Sequence, residues 1–110
     1  MSTDLDGDLA GTTGPLRALA DPLRWRIVEL LASEELCVCH LVEALDTPQP
    51  LVSHHLRVLR EAGLVDTERH RYWTYYRLRP GALEALGNAL LQLAAGAPFP
   101  GPGPRRRPCC

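Results

Sequence analysis

The most constraining feature of this 110-residue chain is a pair of apolar stripes at helical spacing with a short break between them. Val38, Leu41, Val42 and Leu45 recur at i, i+3, i+4 and i+7. That is the stripe of an amphipathic helix, expected over about 34–45 with Ser33 as its cap. Asp46-Thr47 breaks the pattern. Thr47 reads as the next N-cap, with Pro48 and Pro50 in the first turn, where proline is tolerated. Val52, Leu56 and Leu59 then give the buried face of a second helix ending near Ala62, and Gly63 is a natural C-terminal stop. Two helices joined by so short a turn follow helix-turn-helix arithmetic.

The flanking sequence completes one small domain. Residues 1–14 carry Gly, Thr and Asp with few apolar anchors and read as disordered. Pro15 to Ala20 suits a short helix. Asp21-Pro22 is an N-cap followed by proline at the first helical position, and Leu23, Ile27, Leu30 and Leu31 continue a helix over 22–32. Beyond Gly63, Leu64–Glu68 and Tyr72–Leu78 are rich in Val, Thr, Tyr and Trp and are joined by Arg69-His70-Arg71, which predicts a β-hairpin. Its tip has no Asn-Gly or Gly, so a loop longer than two residues is expected. Residues 82–95 carry Leu83, Leu86, Leu90, Leu91 and Leu93 with a single charge, Glu84. Such a stripe serves either a dimer interface or the monomer's own core. Residues 96–110 hold five prolines and three glycines and read as an extended, flexible tail. The fold class expected is mainly α with a small β-hairpin (α+β), with the domain at 15–95. No apolar run approaches the roughly 18 residues of a membrane span. The acidic N-terminus has neither a basic nor an apolar leader region, which predicts a cytoplasmic protein without a membrane partner.

Charge is distributed unevenly. All 12 basic residues are arginine, and the net charge is −1. Residues 1–53 hold nine acids and three arginines; residues 54–110 hold four acids and nine arginines. A basic half can present a local anion-binding face. On the second helix of the pair, with Val52 as the centre of the buried face, Leu56 and Leu59 fall within about 40° of it. Ser53, Arg57 and Arg60 fall at about 80–140° and His54 near 200°, with Gln49 in the first turn of the same side. These residues suit base edges and phosphates in a major groove. His55, at about −60°, reads as a packing or capping histidine. The hairpin becomes a wing, with Arg69, His70 and Arg71 placed for phosphates or the minor groove. The expected partner is double-stranded DNA.

The four cysteines are Cys37, Cys39, Cys109 and Cys110. Without a secretory leader they read as bland thiols, redox thiols or metal ligands rather than a disulfide framework. On a helix centred at Val38, Cys37 and Cys39 lie about 200° apart. Two sulfurs on one ion approach to roughly 4 Å, so binding through both is expected to distort or unwind that helix. The step from Ala97 to Cys109 reaches up to about 37 Å as polyproline II, enough to bring tail thiols to the second helix of the same or a partner subunit. Arg105, Arg106 and Arg107 favour the thiolate form of their neighbours.

Glu35-Leu36-Cys37-Val38-Cys39-His40-Leu41 resembles the metal-binding box of the ArsR/SmtB family of winged-helix repressors. Ser53 to Val65 resembles its recognition helix, and Tyr75-Tyr76-Arg77-Leu78 the end of its wing. The similarity covers about residues 15–93. It implies a winged helix-turn-helix, dimeric through the first and last helices, that represses a resistance operon at an inverted repeat and is released when its ion binds. Three places depart from the pattern. His40 stands where Asp is usual, Val42 where the familiar arsenite sensors have a third cysteine, and Arg71 where Gly is common. The third thiolate would then come from Cys109 or Cys110. The last-helix Asp and His ligands of zinc, nickel and cobalt sensors are missing from residues 82–95. The resemblance therefore implies As(III) or Sb(III) on three thiolates, with Cd(II) or Pb(II) on four as the alternative. His40 reads as a solvated surface residue, with an additional ligand as the other reading. Two other classes give distinct expectations. A thiol redox sensor on the same fold would respond to peroxide without any ion. An enzyme would need a catalytic set, and no Ser-His-Asp group or phosphate loop is present.

Overall fold

The computed structural model describes residue 11 and residues 13–96. Most of the expected N-terminal disorder, and the tail with Cys109 and Cys110, lie outside the described residues. A first helix, α1, covers 13–19, slightly ahead of the expected 15–20. Asp21 then caps α2 (Pro22–Ser33): its carboxylate accepts from the backbone N–H groups of Leu23 at 2.8 Å and Arg24 at 3.2 Å.

The helix expected over 34–45 is shorter. α3 runs Val38–Leu45, with Cys37 as its N-cap in an extended conformation. The cause is Leu36, which exchanges both backbone hydrogen bonds with Tyr76, at 3.1 and 2.7 Å, in an isolated antiparallel bridge. A residue paired this way has no hydrogen bonds left for a helix. α3 ends at Asp46, in the left-handed region at φ +48°. α4 (Gln49–Glu61) starts after Pro48, not from a Thr47 cap. The Thr47 hydroxyl instead donates to the Leu45 carbonyl at 2.9 Å, bracing the turn between the two helices. Gly63, at φ +78°, closes α4 by donating to the Arg60 carbonyl, while Leu64 donates to Leu59, both at 3.0 Å.

The wing is β1 (Val65–His70) antiparallel to β2 (Trp73–Leu78), with Val65 opposite Leu78 and His70 opposite Trp73. The loop is thus the two residues Arg71-Tyr72, shorter than expected. Arg71 supplies the left-handed conformation itself, at φ +59°, where a tight turn ordinarily uses Gly or Asn. α5 (Ala82–Gly96) closes the described chain.

Ile27, Val28, Leu31, Leu36, Leu41, Val52, Leu56, Leu59, Leu64 and Val65 form one core under the helix pair and the wing. α5 gives this core Leu83 and part of its first turns, and Leu86 is buried. Leu90, Leu91 and Leu93 remain 49%, 66% and 74% exposed, so the core formed by the described residues does not use that stripe. Among the described residues, no helix is long and apolar enough to cross a membrane.

Candidate thiol site and nucleic-acid face

The bridge at Leu36 decides the geometry of the thiols. It holds the chain extended up to Cys37, and Cys37 therefore stands ahead of the first turn of α3 while Cys39 lies within it. The sulfurs of Cys37 and Cys39 and a ring nitrogen of His40 all lie within 4.8 Å of one another. This corrects the expectation of two thiols about 200° apart on one helix. The helix has no need to unwind for both sulfurs to meet one ion. Cys37 is buried and Cys39 is exposed. Burial pushes the Cys37 thiol up, and the neighbouring Cys39 side chain adds to this through a hydrogen bond and its charge. Cys37 thus rests as a thiol whose proton an incoming soft ion displaces.

His40 is exposed but not idle. Its Nδ1 accepts from the Cys37 backbone N–H at 3.2 Å and lies 3.3 Å from Cys37 Sγ. The arrangement follows the logic of a capping box, with the residue three positions into the turn reaching back to the cap. The i, i+3 spacing of Cys37 and His40 was the available signal. A groove of about 410 Å³ opens beside the thiols, lined by Cys37, Cys39 and Val42 of the α3 segment, Gln49 of α4, and Trp73 of β2. The candidate ion site therefore shares walls with the first residue of the second helix and with the wing.

Gln49, Ser53, His54, Arg57 and Arg60 are all exposed on α4, and Arg69, His70 and Arg71 are exposed at the wing. The structure brings them out as two patches of donors, one per element. Arg57 Nη2 lies 3.4 Å from His54 Nδ1. Tyr72, which follows Arg71 in the two-residue turn, is 91% exposed at the tip. His55 points the other way. It is 7% exposed, and the Arg24 guanidinium donates to its Nδ1 at 3.1 Å. Arg24 Nε also donates to the Ala18 carbonyl at 2.6 Å. One arginine thus ties α1, α2 and α4 together and fixes how far α4 stands from the core. Burial lowers the His55 pKa; Asp21 opposes this, while Arg24 and His54 reinforce it.

Residues 21–67 match the family model described as bacterial regulatory protein, arsR family. An arsenic resistance transcriptional regulator of Pseudomonas putida is 51% identical over 65 residues, covering 58% of this chain and 51% of its own length. The transcriptional repressor SmtB of Mycobacterium tuberculosis is 52% identical over 63 residues, covering 57% and 47%. A solution structure from Mycobacterium bovis shares 30% identity at a TM-score of 0.67, covering 86% of this chain and 87% of that one. It is described as the homodimeric winged helix-turn-helix DNA-binding domain of a possible ArsR-family regulator. This chain belongs to the ArsR family. ArsR-family members are DNA-binding transcriptional regulators rather than enzymes, and the fold seen here is their winged helix-turn-helix. The chain spans about half the length of the two curated relatives named. Its identity to the arsenic regulator and to SmtB is nearly equal, so similarity within the ArsR family does not select an ion.

Proposed function

We propose that this ArsR-family chain is a homodimeric repressor of an arsenic-resistance operon. It binds an inverted-repeat operator through Gln49, Ser53, His54, Arg57 and Arg60 in the major groove and Arg69, His70 and Arg71 at the wing. It leaves that DNA when As(III), or Sb(III), takes the thiolates of Cys37, Cys39 and one of Cys109 or Cys110. The carrying observation is the meeting of Cys37 and Cys39 at the head of α3, in a groove that also contains Gln49 and Trp73. An ion held there changes the start of the first helix of the pair. It also loads the Leu36–Tyr76 bridge, which joins this segment to the wing. Both DNA-contacting elements therefore feel one event, and by linkage DNA must weaken ion binding as much as the ion weakens DNA binding. The choice of As(III) over a four-thiolate Cd(II) or Pb(II) site rests on ligand count, since a trigonal site needs only one tail thiol beside Cys37 and Cys39. The exposed leucines of α5 supply the dimer face.

The division of labour is tested with Cys37→Ser and Cys39→Ser. Each variant should bind operator DNA as the parent does in the absence of ion, and neither should release it with arsenite. Weakened ion-free DNA binding in both would contradict the assignment of these thiols to sensing alone.

A further inference from the structure

α4 carries one leucine that the core does not use. Val52, Leu56 and Leu59 are buried, and Val58 packs against the core beside them. Leu51 is 42% exposed and, among the described residues, stands outside both the core and the apolar side chains packed on it. Pro50 beside it is exposed as well. The helix therefore opens with an apolar tip in water.

That tip belongs to the polar face already described. At 100° per residue, Leu51 lies about 60° from His54 and Pro50 about 40° from it, on its other side. Leu51 and His54 are three residues apart and so are neighbours on the helix surface. Gln49 precedes the apolar pair, Ser53 stands just after Val52, and both are exposed. In a helix-turn-helix the N-terminal residues of the second helix meet the base edges. Gln, Ser, His and Arg answer the donors and acceptors of those edges; a leucine has nothing to offer them. The major groove presents one apolar group, the 5-methyl of thymine. Cytosine has no such methyl and offers an N4 amino donor instead, which a leucine would cover without pairing.

We propose that Leu51 packs on the 5-methyl group of a thymine in each operator half-site and selects T·A over C·G there. The inference rests on the reading of α4 as the major-groove helix and adds a base to what that helix reads. Burying one methyl-sized group changes an equilibrium by about three- to five-fold. The contact involves no charge, so it leaves the salt dependence of binding alone, unlike a contact from arginine to phosphate.

The test uses the full-length chain without ion on its own promoter DNA, with each thymine of the half-sites replaced in turn by deoxyuridine. That change removes the methyl and keeps the base pair. Fluorescence anisotropy at fixed salt reads the affinity. For the parent, one position per half-site should lose about three- to five-fold. Leu51→Ala should bind the unmodified DNA more weakly by a similar factor, with the slope of log K against log salt unchanged. It should no longer distinguish thymine from deoxyuridine at that position, whereas Ser53→Ala should still do so. Its thermal stability should match the parent's, because the side chain is exposed. A parent indifferent to every deoxyuridine would overturn the proposal. So would equal losses in the parent and in Leu51→Ala at the sensitive thymine, which would give that methyl to another residue. Either result in a parent that binds its operator leaves the major-groove reading of α4 standing; a parent that binds no promoter DNA overturns both.

Discussion

His55 lies buried in α4 with its Nδ1 accepting from Arg24, and Asp21, Arg24 and His54 are the charged or titratable groups around it. Its pKa is lowered in the folded chain, first by burial. The unfolded chain therefore takes up the proton first, near pH 6.5. Stability from this group is full above about pH 6.5 and is lost as pH falls through the lower folded value. Asp21 acts in a more acidic window. Its burial is outweighed by the backbone hydrogen bonds from Arg24 and Leu23 and the charges of His55 and Arg24, so its pKa is lowered. Its contribution disappears only below the ordinary aspartate range. Urea melts at pH 7.5 and 5.5 should show a loss of stability, and His55→Asn, which keeps a short acceptor, should flatten it. Arg71 is a second residue with a separable effect. A non-glycine residue in the left-handed region costs about 1–2 kcal/mol. Arg71→Gly should raise unfolding free energy by up to about 1 kcal/mol. It should also weaken operator binding and reduce the slope of log K against log salt by about 1. A weaker fold with unchanged salt dependence would remove Arg71 from the DNA contacts.

At the scale of elements, α4 and α2 are legible in the sequence because their apolar periods run for several turns and their ends carry strong signals, Asp21 and Gly63. The start of α3 is not legible. It depends on Leu36 pairing with Tyr76, forty residues away, and a single bridged residue has no period to read. The thiol geometry follows from that one long-range contact, because Cys37 becomes the N-cap of α3 and leaves the helical wheel. The capping role of His40 is illegible for a related reason: it is a local hydrogen bond to a backbone group, available only once Cys37 becomes the cap. The wing turn is shorter than expected because Arg71 accepts a conformation its type disfavours. For α4 as an element, the exposed face predicts a separation of effects. Ser53→Ala and Arg57→Ala should each weaken operator binding by about 1–3 kcal/mol with little change in thermal stability, since both side chains are exposed. Equal losses on unrelated DNA would assign them to phosphates instead of bases.

At the scale of the whole molecule, α5 sends little into the described core and keeps Leu90, Leu91 and Leu93 in solvent. Sequence alone leaves that stripe divided between core and interface; among the described residues, packing within the monomer accounts for Leu83 and Leu86. Leu91→Glu with Leu93→Glu should turn a dimer into a folded monomer in sedimentation velocity, with far-UV circular dichroism retained, and should weaken operator binding because only one half-site can then be held. The central claim joins the thiol cluster to the DNA face through α3 and the wing. Its most direct test is fluorescence anisotropy of the reduced full-length protein on its own promoter DNA during titration with arsenite and, separately, with Cd(II). The account predicts DNA bound without ion, released by arsenite, and released at a lower concentration of arsenite than of Cd(II). Release by Cd(II) at the lower concentration, or DNA that stays bound with arsenite saturating the thiols, would contradict it.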